Sequence, residues 1–210
     1  IRDLYVTGVQ TCALPICDTY PLDRRDVAQA LLAERDGLVV VAGLGACAWD
    51  ITAVGDHDLN FPLWGAMGGA ASIGLGIALA QPDRRVLVLT GDGEMLMGLG
   101  SLATIALQKP ENLAVVVLDN ERYGETGMQQ THTAFGVDLP AAAAAVGILI
   151  TGTVRDQGEL DTALPVIRET PGPVFYSIKV KAEELAFVLP SNDGVVLKER
   201  MRKAMLGGTG

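Results

Sequence analysis

Positive charge is scarce in this sequence. Sixteen Lys and Arg face 25 Asp and Glu, for a net charge of −9. That balance argues against nucleic-acid binding, which wants a basic face. Cysteine is scarce too. Cys12, Cys17 and Cys47 form no disulfide framework, and the odd count fits a reducing cytoplasm. With no second pair to join them, Cys12 and Cys17 do not read as a metal site. Long apolar runs are missing as well, since Gly or a charge interrupts each one before it could span a bilayer. No internal repeat and no low-complexity linker is present.

The 210 residues are 49% hydrophobic and 20% charged, enough to bury the core of one soluble globular domain. The first stretch, IRDLYVTGVQTCALPIC, has neither helical period nor strand alternation, and it is too polar for a signal peptide. VTGVQTCALPI resembles a translated sequencing adapter. Residues 1–20 are therefore expected to be non-native or disordered, and residues 21–210 to form a single domain.

Within that domain, strand-like and helix-like segments alternate. Asp23 is placed to cap a helix over 24–34, and 38–41 reads as a strand. Helices are expected over 67–80, 94–108, 139–146, 159–168 and 194–205, and strands over 85–90, 113–118, 148–153 and 173–180. Alternation of this kind means an α/β fold: a doubly wound, mostly parallel sheet with helices on both faces. The 94–108 helix is apolar nearly all round, so one side is expected to meet the sheet and the other a partner chain.

The stretch with most chemistry is GDGEMLMGLGSLATIALQKPENLAVVVLDN, residues 91–120. Two neighbouring parallel strands should end at one rim, one carrying Asp92 and the other Asn120. Open α/β sheets bind ligands at such a rim. The turn at Gly91, Asp92 and Gly93 opens a helix whose free N–H groups suit phosphate. A carboxylate and an amide oxygen suit Mg²⁺ or Ca²⁺ better than zinc. Gly43-Leu44-Gly45-Ala46-Cys47-Ala48 offers a second reading. A strand followed by GxGxxA is the dinucleotide fingerprint, although no acidic residue follows at the usual distance. His57, between Asp56 and Asp58, reads as a solvated turn, or else as a proton-transfer group or a weak metal site.

The span from Asp92 to Asn120 resembles the thiamine diphosphate (ThDP) motif. Leu63-Trp64-Gly65-Ala66-Met67-Gly68 is similar to the segment that grips the aminopyrimidine ring in that family. YGETGMQQTHT, from Tyr123 onward, is similar to a loop of sulfopyruvate and phosphonopyruvate decarboxylases, above all of the β subunit of the split kind. The resemblance implies a diphosphate-binding (PP) domain with ThDP and Mg²⁺ as cofactors, acting in decarboxylation of a small anionic 2-oxo acid. The implied metal ligands are Asp92, Asn120 and the Arg122 carbonyl. The implied cofactor contacts are Gly43, Gly45, Gly65, Ala66, Met67, Gly91, Asp92, Gly93, Glu94, Asn120, Tyr123 and Gly124. Met67 is implied as the apolar wedge that bends ThDP, and Glu94 should serve through its N–H with its carboxylate turned away. His132 reaches the substrate anion or merely caps a loop. The activating glutamate belongs to a pyrimidine-binding (PYR) domain that this chain has no room for, so a partner subunit in a hetero-oligomer is expected, or a longer chain of which this is a fragment. Carboligation or oxidation on the same cofactor, and a nicotinamide-binding module, are the alternatives.

Overall fold

In the computed structural model, residues 20–35 and 37–207 are described. The expectation for residues 1–20, with Cys12 and Cys17, falls almost wholly outside them. Six strands build one fully parallel sheet: β1 (Val39–Ala42), β2 (Asn60–Pro62), β3 (Val86–Gly91), β4 (Leu113–Asp119), β7 (Ile150–Val154) and β8 (Val174–Lys179), in the order β2-β1-β3-β4-β8-β7. A two-stranded antiparallel hairpin, β5 (Arg122–Tyr123) and β6 (Gln129–Gln130), follows β4.

Why the sheet is buried on both sides is plain from its strands. VVVA, VLVLTG and LAVVVLD are continuous apolar runs, and side chains alternate between faces. Val40, Leu87, Leu89, Val116 and Ile178 pack on one face with helices α1 (Arg24–Leu32), α2 (Ala46–Val54) and α7 (Gln157–Glu169). Val39, Val41, Val88, Val115 and Phe175 pack on the other with α3 (Ala70–Ala80), α4 (Asp92–Met97), α5 (Ser101–Gln108), α6 (Leu139–Ala145) and α8 (Gly194–Leu206). No described helix is long and apolar enough to cross a membrane.

Three expectations need correction. The 94–108 helix is two helices, α4 and α5, parted at Gly98-Leu99-Gly100. A Cβ on Gly98 would lie 2.2 Å from the Gly68 carbonyl oxygen, so two backbones touch there and the helix yields to them. Of the apolar residues of α4 and α5, Leu102 and Ile105 are buried against the sheet, while Met97 and Leu107 are 65% and 75% exposed on the side expected to meet a partner chain. The 67–80 helix begins only at Ala70, which leaves Met67 in the turn before it. Asp23 sits at the N-cap of α1 but makes no capping bond; its carboxylate pairs with Lys181 Nζ at 2.9 Å instead. Gly98→Ala is expected to lower stability by about 1–3 kcal/mol, as overpacking does, and to displace the 65–68 turn. Denaturant unfolding measures the first and tryptophan fluorescence of the adjoining Trp64 the second.

Candidate functional site

The sheet order reverses between β1 and β3. The chain leaves β1 toward β2 on one side and returns to β3 on the other. A reversal of this kind opens a crevice at the carboxyl ends of the two strands. A cavity of about 690 Å³ lies there, lined among others by Leu44 and Ala46 after β1, Gly91 to Glu94 after β3, and Asn120 to Gly124 after β4 without Glu121. Gly91 leaves open space where a Cβ would stand, which keeps the cavity floor free.

Asp92 and Asn120 therefore share one cavity, as do Arg122, Tyr123, Glu125 and Met67. Asp92 is 2% exposed. Burial pushes its carboxyl up to about 7, with Asp119 adding to the rise and the Thr131 hydroxyl opposing it. It has no cationic partner among the described residues. A buried acid in that position is short of one positive charge, which a divalent ion would supply. Among the described residues no three His, Cys, Asp or Glu side chains cluster as a metal site. Any cation here would instead take the mixed oxygen set of one carboxylate, the Asn120 amide and backbone carbonyl groups. Asn120 Oδ1 also accepts from the Arg122 N–H at 2.9 Å, which fixes the amide's orientation.

Glycine is required at two points of this rim. A Cβ on Gly43 would fall 1.7 Å from Glu94 Oε2, and one on Gly93 would meet the Tyr123 ring at 2.5 Å. The first contact shows where Glu94 goes. Its carboxylate is 4% exposed and turned against the β1 loop, accepting from the Thr90 hydroxyl at 2.9 Å. Burial raises its pKa, and hydrogen bonds from Thr90 and from the backbone of Ala70, Gly68 and Leu44 hold part of that rise back. Glu94 thus joins the 43–45 and 68–70 turns at the cavity wall.

Other predicted residues stand apart. Gly65 and Ala66 are exposed and do not line the cavity, and Met67, 37% exposed, lines one edge of it. Ala66 holds φ +57, a left-handed conformation that a non-glycine residue rarely takes, as do Glu121 just before the hairpin and Met128 in its loop, at φ +60 and +61. Gly43 and Gly45 are buried behind the lining residues Leu44 and Ala46. His132 is exposed, in a 3-10 turn over His132–Phe135, and outside the cavity lining. His57 is exposed, its Nδ1 accepting from the Leu59 N–H, while Asp56 pairs with Arg200 at 2.5 Å.

Sequence reasoning missed one wall. Residues 183–187, in the irregular stretch between β8 and α8, line the cavity. Arg24 Nη1 donates to the Glu183 carbonyl at 3.0 Å and Trp64 Nε1 to that of Ser191 at 2.7 Å, while Trp49 meets Phe187 edge-on at 4.4 Å. Arg24 and Arg25 also share the fully buried Asp50, at 2.7 and 3.0 Å. Cys47 lines the cavity as well, but burial pushes its thiol well above the usual range, with Asp50 and Glu94 adding to the rise. It is wall, not nucleophile.

The family follows from comparison with known proteins. Residues 45–178 match the thiamine pyrophosphate enzyme, C-terminal TPP binding domain; thiamine pyrophosphate is the same compound as ThDP. The chain belongs to that family. The TPP-binding domain is 36% identical to the sulfopyruvate decarboxylase subunit beta of Methanothermobacter thermautotrophicus, over 90% of this chain and 98% of that one. It is 41% identical to the phosphonopyruvate decarboxylase of Streptomyces hygroscopicus over 75% of this chain, but spans only 39% of that longer protein. Benzoylformate decarboxylase from Polynucleobacter necessarius has the same fold, with a TM-score of 0.67 at 22% identity over 80% of this chain and 34% of that one. The β1 loop is thus part of a TPP-binding domain, and its nicotinamide reading is set aside.

Proposed function

We propose that this TPP-binding domain is the ThDP- and Mg²⁺-holding subunit of a decarboxylase for a small anionic 2-oxo acid, of the sulfopyruvate or phosphonopyruvate kind. The observation that carries the reading is the match along nearly the whole of a sulfopyruvate decarboxylase β subunit. ThDP, when bound, supplies the electron sink that lets a 2-oxo acid lose CO₂. What the chain supplies is binding and orientation. Asp92, Asn120 and the Arg122 carbonyl hold the cation, and the first turn of α4 and the β1 loop face the diphosphate. Electrostatics support the need for a cation. Asp92, Glu94, Glu125, Glu183 and Glu184 line the cavity against only Arg24 and Arg122, so a bare diphosphate would meet net repulsion.

Met67 forms the apolar edge on which the cofactor bends, and the exposed Gly65 and Ala66 wait on that same edge for the aminopyrimidine. A separate PYR-domain subunit covers it and brings the activating glutamate. His132 then faces the partner or the solvent rather than the reacting carbon. The test is product analysis. The chain, co-expressed with a PYR-type subunit, should release CO₂ from sulfopyruvate or phosphonopyruvate and leave the corresponding aldehyde. A carboligated product, or turnover only with an electron acceptor, would replace the reading with one of its alternatives on the same cofactor.

A further inference from the structure

The hairpin after β4 starts and ends beside the same pair of acids. It leaves β4 at Asp119 and Asn120, turns through β5 and β6, and returns at Thr131, whose N–H donates to the Glu121 carbonyl at 3.0 Å. Thr131 and Thr133 are buried, while His132 between them is exposed. Thr131 Oγ1 donates to Asp92 Oδ2 at 2.5 Å, and Thr133 Oγ1 donates to Asp119 Oδ1 at 2.8 Å. The two hydroxyl oxygens stand 2.9 Å apart, and Thr133 Oγ1 also lies 3.3 Å from Asp92 Oδ2. Two protons thus serve two carboxylates. Asp119 is further held by Lys179 at 2.8 Å and Ser177 at 3.3 Å.

The consequence is directional. Asp92 Oδ2 is committed to the threonines, and Oδ1 has no side-chain donor among the described residues. Asp92 comes from the α4 turn, whereas Asn120 and the Arg122 carbonyl come from the hairpin. The sheet already pairs Gly91 with Leu118 and so brings the two strand ends together; the threonine bonds add a second tie, from the α4 turn to the arm that returns from the hairpin. We propose that Thr131 and Thr133 are positioning residues for the divalent cation: they would leave Asp92 Oδ1 free for it and hold the 120–122 segment in place beside Asp92. This rests on the reading of Asp92 as a cation ligand. Hydrogen-bond partners of metal-binding carboxylates shape affinity in this way, and Mg²⁺ tolerates misplaced ligands far less than Ca²⁺ does.

The experiment is calorimetric titration of Mg²⁺, and separately Ca²⁺, into the metal-free chain in the presence of excess ThDP, with melting temperatures recorded in EDTA. Thr131→Val keeps the volume and removes the hydroxyl. It is expected to weaken Mg²⁺ by about tenfold or more and Ca²⁺ by less than about threefold. Thr131→Ser should restore Mg²⁺ binding, and Thr133→Val should repeat the selective loss more weakly. Unchanged Mg²⁺ affinity in Thr131→Val overturns the proposal. So does an equal loss for both ions that tracks a fall in melting temperature, which would mark a merely structural role. Failure of the unmodified chain to bind either ion with ThDP overturns the reading of Asp92 itself, and the proposal with it.

Discussion

Asp92→Asn is expected to abolish metal-dependent ThDP binding and, in the same molecule, to stabilise the unliganded fold at neutral pH. The carboxyl sits near 7 when folded and near the ordinary aspartate value of about 3.9 when unfolded. For an acid raised in this way, the folded state holds the extra proton between those values. Stability from this group is therefore lost as pH rises from about 4 to about 7, and stays lost above. Three pH units at about 1.4 kcal/mol each put the cost near 4 kcal/mol as an upper bound. The amide carries no charge to desolvate and still accepts from Thr131. Chemical denaturation at pH 5 and pH 8 should show the unmodified chain losing stability between them and the Asn variant nearly level. Divalent-ion affinity of the unmodified chain should rise over the same range, since the ion displaces the proton. A variant no more stable than the parent at pH 8 would mean that Asp92 is already compensated by groups other than an ion.

The second large effect concerns the chain alone. Purified by itself, it is expected to bind ThDP yet decarboxylate at no more than background. Addition of a PYR-type subunit should raise the rate by about 10²–10⁴-fold, the range for supplying one positioned acid–base group. The open flank explains why. Trp64, Gly65, Ala66 and Met67 are all exposed, with Met67 at the cavity's edge, and none of the acids lining the cavity lies on that segment. Glu94 is spoken for by Thr90 and the β1 loop, and Glu125 reaches back over Gly45. Full activity from the single chain would show that one of these carboxylates does the partner's work.

How far the sequence led depends on how local each cause is. Strands β3 and β4 were legible because VLVLT and LAVVVLD are short, β-branched and bounded by turns, and the parallel order followed from the alternation with helices. Asp92 and Asn120 were legible because each stands at a strand's end. The break between α4 and α5 was not. A glycine inside a Leu- and Met-rich run looks like a tolerated residue, and only its contact with Gly68, thirty positions away in sequence, makes it a bend. Glu94 was expected to turn its carboxylate away on charge alone; that it would settle in the space left by Gly43, against the Thr90 hydroxyl, was not legible. Thr131 and Thr133 gave no signal beyond alternating around a histidine, since nothing local marks a hydroxyl that meets an acid thirty-nine residues earlier. The wall at 183–187 has no pattern at all, because side chains distant in sequence set its path, Arg24 at the Glu183 carbonyl and Trp49 at Phe187.

Calorimetry of ThDP binding to the chain, once with Mg²⁺ and once with EDTA, bears most directly on the claim that Asp92 and Asn120 together hold a cation that tethers a diphosphate. Saturable binding with Mg²⁺, lost with EDTA and lost again in Asp92→Asn, is the expected result. Binding of equal strength in EDTA, or heat from NAD with none from ThDP, would contradict it.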